Sequence, residues 1–485
     1  MDKMKTALSQ GVSSPESLSK IGEILMREGP DQDLAKAERY LKSSVDQDDT
    51  HAETLVWLGR VYEKSGRLDE AQQMFQKAVD LPDCNMVDAY FYLGVICEKQ
   101  KDYKKAILHL KTCLQMDKEH FWACLHYATL LGELRQYQKA VKYFKHARKL
   151  NPESIPANFG YGKTLHFLTN NPEVAKEYYE FCIEKDKNHY KAYCQLGILF
   201  LEKGELEISA EYLKKCVFLN PKYVLGLVTM GNLLFETGHF QNAIKYHQQA
   251  LRYSPNEIQA LIGMGNALYD MGKPEEAVTY YSRALEQESD LSDVHYNLAN
   301  TLYMLQQTEK AIQHYKQAIA LNPEKSETYY NLGNAYCQVD QFAEAIGVYK
   351  KSIELDSYNP PAFYNLGNAY YMLGQYDNSI NSYQMALKRK PDSAECYFNL
   401  ATAYNDKGDK QEAQRNFKTC LKYDPTNAEA YYELGLLYLK SEAPDDREGA
   451  AEAFANALKH NPNHQKALEA QKECPPIPEE HDEDR

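Results

Sequence analysis

This 485-residue sequence is poor in several features by which protein classes are recognised. It has two tryptophans, no N-x-[ST] sequon, no C-x-x-C pair and no apolar stretch long enough to span a bilayer. We expect no signal peptide in its first ten residues. The H-E-x-x-H, G-x-S-x-G and protein-kinase motifs are also absent. We therefore expect no catalytic residue, no metal, no cofactor and no membrane insertion.

The chain also lacks a surplus of positive charge. Its net charge is −14, and residues 479–484 form an acidic segment. This balance argues against nucleic acid or an anionic membrane as the main partner. The eleven cysteines are an odd number, and several occupy positions where neighbouring segments have alanine. We expect reduced, buried thiols and a cytoplasmic location, with a ciliary compartment as the alternative.

What the sequence does contain is a strict period. A glycine or alanine recurs at intervals of 34 residues in nine of eleven steps and 35 in the other two. The positions are Gly59, Gly94, Ala128, Gly162, Gly197, Gly231, Gly265, Ala299, Gly333, Gly367, Ala401 and Gly435. A fixed period of this length predicts a solenoid, in which each unit buries its apolar face against its neighbours.

Each unit reads as two helices. In residues 326–359, Leu332 and Gly333 lie on one face of a first helix, and Ala345 and Tyr349 share a face of a second. Small residues at the helix crossing let the two helices approach closely. A proline closes many of the units, because proline cannot continue a helix.

This arrangement resembles the tetratricopeptide repeat (TPR) family over residues 52–463. The resemblance implies an all-α, right-handed superhelical solenoid of about thirteen helix–turn–helix repeats. We divide the chain into an N-terminal extension (1–14), an atypical first repeat (15–51), twelve repeats (52–463), a capping helix (464–473) and an acidic disordered tail (474–485). Three insertions interrupt the register, around Pro82, Asn170 and Ala443, and we interpret them as loop extensions.

One segment imitates a nucleotide-binding motif. Residues 157–164 match a loose phosphate-loop pattern that ends in Gly162-Lys163-Thr164. A phosphate loop needs a strand before it and a helix after it. Here the glycine is one of the periodic positions, and a turn precedes the segment. The pattern therefore indicates the first helix of a repeat, without nucleotide.

The resemblance places the first helix of each repeat on an inner, concave surface. Positions two before and one after the periodic glycine or alanine share a helix face, and in the later repeats both positions favour asparagine. These asparagines are Asn232, Asn266, Asn297, Asn300, Asn331, Asn334, Asn365, Asn368 and Asn399. Carboxamides can pair with the backbone of an extended peptide, as in the similar repeats of O-linked N-acetylglucosamine transferases. The alternative is local hydrogen bonding within the repeats.

The early repeats have aromatic residues on their first helices instead. The candidates are Trp57, Tyr92, Tyr127, Tyr161 and Trp122. Rigid aromatic side chains suit anchor sites for a partner, although neighbouring helices could equally bury them.

The predicted function is a non-catalytic scaffold or adaptor that binds protein partners along the groove within a multiprotein complex. Asp293, Glu327, Glu395 and Glu429 on the later first helices favour extended or basic partner segments. Homo-oligomerisation stays open. Two alternatives are the substrate-recruiting region of an enzyme such as a protein O-glycosyltransferase, and a subunit of a ciliary, axonemal or cell-cycle assembly.

Overall fold

In the computed structural model, helices joined by short turns account for most of the described residues, which are 14–28, 33–81, 86–169, 172–440 and 444–473. No β-strand occurs in these ranges, so the predicted all-α class is confirmed for them. The chain divides into two compact units, one ending at Leu233 and one beginning at Leu234.

The first unit is built from consecutive helix pairs. Its helices are α1 (Pro15–Glu28), α2 (Leu34–Gln47), α3 (Ala52–Lys64), α4 (Leu68–Asp80), α5 (Val87–Lys99), α6 (Tyr103–Met116), α7 (Phe121–Glu133), α8 (Tyr137–Leu150), α9 (Ile155–Thr169), α10 (Pro172–Lys185), α11 (Tyr190–Glu202), α12 (Leu206–Leu219) and α13 (Val224–Glu236), which crosses the division.

The second unit continues the same alternation. Its helices are α14 (Phe240–Tyr253), α15 (Ile258–Asp270), α16 (Pro274–Gln287), α17 (Ser292–Met304), α18 (Thr308–Leu321), α19 (Ser326–Gln338), α20 (Phe342–Leu355), α21 (Pro360–Met372), α22 (Tyr376–Arg389), α23 (Ala394–Lys407), α24 (Lys410–Tyr423), α25 (Ala428–Leu439), α26 (Pro444–His460) and α27 (Gln465–Glu473).

The turn between the two helices of a repeat has a fixed backbone form. Between α19 and α20, Asp340 has φ 57°, and the Gln341 N–H donates to the Tyr336 carbonyl at 2.9 Å. This left-handed residue with a hydrogen bond back into the helix is a Schellman-type ending. Glycine takes the same position at Gly272 and Gly374, with φ 72° and 69°. The turn therefore accepts a side chain, but at a cost in strain.

The periodic glycines make room for an aromatic ring of the second helix. A Cβ atom on Gly333 would lie 2.4 Å from Cε1 of Tyr349, which is 1% exposed. Gly367 has the same relation to Tyr383, at 2.6 Å. The prediction that a larger residue would disturb the helix crossing is thus refined, because the first atoms met belong to a side-chain ring and not to the facing backbone.

Several sequence interpretations can be located. Gly162 and Lys163 lie inside α9, in agreement with the helical interpretation of the phosphate-loop pattern. Residues 1–13 and 474–485 of the predicted extension and tail lie outside the described residues. So do Pro82, Asn170 and Ala443 at the three insertions.

Three absences hold within the described ranges. No helix there combines the length and apolar character that a membrane span requires. No group of three or more His, Cys, Asp or Glu side chains there could hold a metal ion. The nine cysteines in these ranges are free, and all but Cys337 are buried.

Candidate functional site

The predicted asparagines lie in two rows on the first helices, and all nine are half-buried. Eight of them form a series of four hydrogen-bonded pairs, one at each junction between repeats from Asn266 to Asn399 in the second unit. Asn232 precedes this series. Fifteen positions after Asn266 stands Tyr281, whose hydroxyl donates to that asparagine, but fifteen positions after Asn232 stands His247.

One junction between repeats shows how the side chains are used. Asn300 Oδ1 accepts hydrogen bonds from the Tyr315 hydroxyl at 2.6 Å and from Asn331 Nδ2 at 3.1 Å. Asn331 Nδ2 also donates to the Tyr296 hydroxyl at 3.1 Å. The cluster ties α17, α18 and α19 together, so its first role is to fix one repeat on the next.

The same cluster recurs at the neighbouring junctions. Asn266 Oδ1 accepts from the Tyr281 hydroxyl (2.7 Å) and from Asn297 Nδ2 (3.1 Å). Asn334 Oδ1 accepts from the Tyr349 hydroxyl (2.7 Å) and from Asn365 Nδ2 (2.8 Å), which also donates to the Tyr330 hydroxyl (3.2 Å). Asn368 Oδ1 accepts from the Tyr383 hydroxyl (2.6 Å) and from Asn399 Nδ2 (3.2 Å), which also donates to the Tyr364 hydroxyl (2.6 Å). Burial raises the pKa of the donor tyrosines, which keeps their hydroxyls protonated.

Each asparagine of the series spends only one end of its carboxamide on this stacking. Asn300 uses its oxygen and leaves Nδ2 without a hydrogen-bond partner among the described residues. Asn331 uses its nitrogen and leaves Oδ1 in the same state. A carboxamide offers two donors and an acceptor, so the junction between Asn300 and Asn331 retains one donor group and one acceptor group. Local hydrogen bonding, one of the two alternatives, is therefore present, and pairing with a peptide stays a prediction.

A cavity lies at the start of the series. It has a volume of about 240 Å³ and brings together Asn266, Asn297 and Asn300 with Phe235, Tyr269, Asp270 and Tyr281. Burial raises the pKa of the Asp270 carboxyl. The cavity can thus offer a carboxyl group beside unspent carboxamide ends.

Three of the four acidic residues expected to favour basic partners already have neighbours. Asp293 is bonded to Lys325 at 3.1 Å, Glu395 accepts from the Tyr364 hydroxyl at 2.7 Å, and Glu429 lies 2.9 Å from His464. These contacts take up part of the negative charge. A preference for basic partners stays a prediction.

The aromatic candidates of the first unit are divided by their burial. Trp57 and Tyr127 are 5% and 7% exposed, which favours the packing role over a partner-binding one. Tyr92 and Tyr161 are half-buried, and each ring carries an arginine, Arg60 at 5.0 Å and Arg148 at 4.8 Å.

Trp122 is the exception among these five residues. Its side chain is 54% exposed, and its ring stands edge-on to Phe121. None of the five lines the cavity that contains Lys163 or the one that contains His146. A partner-binding role for the aromatic candidates stays a prediction.

Sequence reasoning missed a larger cavity in the first unit. Its volume is about 580 Å³, and its walls include His126, Thr129, Gly160 and Lys163. These four residues are the positions two before and one after Ala128 and Gly162. The positional rule that selected the asparagines would have found them, had it been applied without regard to residue type.

Comparison with known families agrees with the repeat structure. Models described as "TPR repeat" match residues 265–306, 300–340, 333–374, 367–408 and 402–441. Models described as "Tetratricopeptide repeat" match residues 50–119, 99–157, 190–223 and 226–257. Together these matches cover well over half of the chain.

Individual relatives are similar over short stretches. Anaphase-promoting complex subunit 3 of Schizosaccharomyces pombe is 27% identical over 27% of this chain and 20% of its own length. RNA polymerase-associated protein CTR9 of Caenorhabditis elegans is 25% identical over 36% of this chain and 16% of its own. This chain thus spans about a fifth or less of these two relatives. The crystal structure of YrrB, a TPR protein with an unusual peptide-binding site, is 27% identical, covering 40% of this chain and 97% of its own, with a TM-score of 0.36.

Proposed function

Because this chain belongs to the tetratricopeptide repeat family, we propose that it is a non-catalytic scaffold that binds protein segments within a multiprotein complex. The names of two relatives support this proposal, since one is a subunit of the anaphase-promoting complex and the other is associated with RNA polymerase. A stack of helix pairs provides an extended binding surface, and a scaffold needs no catalytic activity.

The observation that carries the proposal is that asparagines of the series such as Asn300 and Asn331 use one end of the carboxamide to bond neighbouring repeats and leave the other end without a partner among the described residues. Asn331 Oδ1 and Asn334 Nδ2 are three positions apart on α19, so they share a helix face. A peptide backbone presents one N–H donor and one C=O acceptor per residue. The N–H could donate to Asn331 Oδ1, and the C=O could accept from Asn334 Nδ2. We propose that an extended partner segment pairs with these groups through its backbone.

The test removes carboxamide oxygens that have no hydrogen-bond partner among the described residues, with a control that separates loss of binding from loss of folding stability. The double variant Asn331→Ala/Asn365→Ala deletes two unspent oxygens, together with the stacking bonds that the same side chains make. The matched control is Tyr296→Phe/Tyr330→Phe. It removes the hydroxyls that accept from those asparagines and leaves both unspent oxygens in place.

Tagged full-length protein and both variants are used to capture partners from the source cell, and bound proteins are quantified by mass spectrometry. We expect partners that are lost with the alanine pair and retained with the phenylalanine pair. Equal capture by both pairs at matched unfolding free energies would reduce the series to a stacking device. Capture of nothing by folded wild-type protein would defeat the scaffold proposal itself.

The alternatives are weaker on present observations. The similarity to O-linked N-acetylglucosamine transferases stays a prediction, as do a ciliary or cytoplasmic location and the oligomeric state. A cell-cycle assembly has one supporting observation, the similarity to an anaphase-promoting complex subunit over about a quarter of the chain. Co-purification of the chain with its partners would identify the assembly directly.

A further inference from the structure

The large cavity of the first unit has the properties of an anchor site. We propose that it holds an apolar, preferably aromatic, side chain from a partner polypeptide whose neighbouring residues are acidic. This inference rests on the proposed scaffold function but uses a surface separate from the asparagine series. The volume of this cavity, about 580 Å³, falls in the range of ligand pockets.

Part of the cavity wall is apolar. Leu125, Phe144, Phe159 and Phe167 all line the cavity. Phe167 is 56% exposed, and its ring stacks on Tyr137 with centroids 5.3 Å apart. Tyr137 is half-buried, so the exposed Phe167 ring is the surface on which a further ring could stack, which would add favourable stacking to area burial.

Glycine keeps the cavity open. A Cβ atom on Gly132 would meet only Thr164 Oγ1, at 4.0 Å. The space beside Gly132 is therefore unfilled, and a larger side chain there would enter it without a clash at Cβ. Gly160 differs, because a Cβ atom there would lie 2.3 Å from the Phe144 ring. Gly132 is thus the position at which the cavity can be blocked while the packing is kept.

The rim is positively charged, although the whole chain carries −14. Arg135, Lys163 and Lys191 line the cavity, are exposed, and form no ion pair within the described part of the chain. Two carboxylates, Glu98 and Glu133, line the same cavity, so the lining has one more formal positive charge than negative charge; Glu98 lies 2.8 Å from His126. The excess of cations beside an apolar cavity complements a segment with carboxylates next to its anchor.

The blocking variant is Gly132→Leu. Leucine has a higher helix propensity than glycine, so α7 should not lose stability through the exchange. The matched control is Gly347→Leu, the same exchange inside α20, where nothing lies within 4 Å of the added Cβ atom. Both variants and the wild type are made as full-length chains, and their folding is compared by circular dichroism.

A displayed library of random peptides is selected on the wild-type chain, and the enriched peptides are then measured by fluorescence anisotropy. We expect a group of peptides with a Trp, Phe, Tyr or Leu close to Asp or Glu. Their affinity should fall about tenfold or more with Gly132→Leu and stay unchanged with Gly347→Leu. Lys163→Glu/Lys191→Glu should weaken the same group and reduce its salt dependence.

Two results would overturn the proposal. One is that no selected peptide responds to Gly132→Leu. The other is that the responding peptides lack an apolar anchor or carry basic neighbours. Peptides that respond to Asn331→Ala/Asn365→Ala but not to Gly132→Leu would uphold the proposed function while rejecting this site, so the two failures can be told apart.

Discussion

His247 should make the second unit sensitive to mild acid. Its side chain is fully buried in α14, and neither ring nitrogen has a hydrogen-bond partner among the described residues. A Cβ atom on Gly263 would lie 2.3 Å from Nε2, so the ring fills the space left by that glycine. Burial lowers the pKa of His247 from the ordinary value of 6.5 to about 4, because the charged ring would lose its hydration.

The sign and size of the effect follow from these two values. Above pH 6.5 the ring is neutral in both the folded and the unfolded chain, so His247 makes no pH-dependent contribution there. As the pH falls from 6.5 towards 4, only the unfolded chain takes up the proton, and stability is lost. Each pH unit in this window costs about 1.4 kcal/mol, so roughly 3 kcal/mol disappears by pH 4.

The comparison is with His247→Tyr, which introduces the residue type found at the equivalent positions Tyr281 and Tyr315. Urea unfolding is followed at a series of pH values for both proteins, and His239→Gln is the control for removing an exposed histidine. All other titrating groups are common to both chains, so the difference in unfolding free energy isolates His247.

Because repeat arrays can unfold in parts, amide hydrogen exchange in α14 and α15 reports the same difference locally. We expect the advantage of His247→Tyr to grow by about 2 to 3 kcal/mol between pH 7.5 and pH 4.5. A difference that stays constant over this range would show that the folded chain accommodates the charged ring, and it would refute the reasoning.

Three further variants test the packing of the repeats. Gly367→Leu places a Cβ atom 2.6 Å from the Tyr383 ring and should lower the unfolding free energy by about 1–3 kcal/mol or more, as measured by urea unfolding. Tyr349→Phe removes the hydroxyl that donates to Asn334 and should cost about 1 kcal/mol in the same measurement. Lys101→Gly relieves a left-handed residue with φ 63° and should raise stability by about 1 kcal/mol, seen as a higher melting temperature.

Each of these variants has an informative control or contrary outcome. Gly347→Leu makes the same exchange as Gly367→Leu on an open helix face, so comparable damage from both would remove the steric argument. An unchanged stability of Tyr349→Phe would mean that water replaces the hydroxyl without loss. Gly272→Lys should mirror Lys101→Gly with the opposite sign, because φ at residue 272 is 72°.

The fold could be predicted because its signals are local and repeated. The glycine at 333 and the aromatic residue at 349 recur with the same spacing at 367 and 383, and the structure brings each pair into contact. A period of this kind averages out irregular single repeats. The two-unit division has no such signal, and the change at Leu233 lies inside a helix that follows the ordinary pattern.

The aromatic residues show where sequence reasoning reaches its limit. Trp57 and Trp122 both lie on first helices, yet one is 5% exposed and the other 54%. Exposure depends on what the neighbouring repeat places opposite each ring, and a single repeat does not contain that information. The cavity beside Phe167 was missed for a different reason, since His126, Thr129, Gly160 and Lys163 hold the same repeat positions as the asparagines but differ from them in residue type.

The asparagine series could be predicted from the sequence only in part. Its positions could be predicted, but its bonding could not, because the partners of Asn331 lie 31 and 35 residues earlier in the chain. The two interpretations of these residues were posed as alternatives, whereas a carboxamide has two ends and can serve both. The Nδ2 end of Asn331 holds the neighbouring repeats together, and its Oδ1 accepts no hydrogen bond from the described residues. Any loss of binding in an alanine variant therefore contains a stacking component, and only the comparison with Tyr296→Phe separates the two.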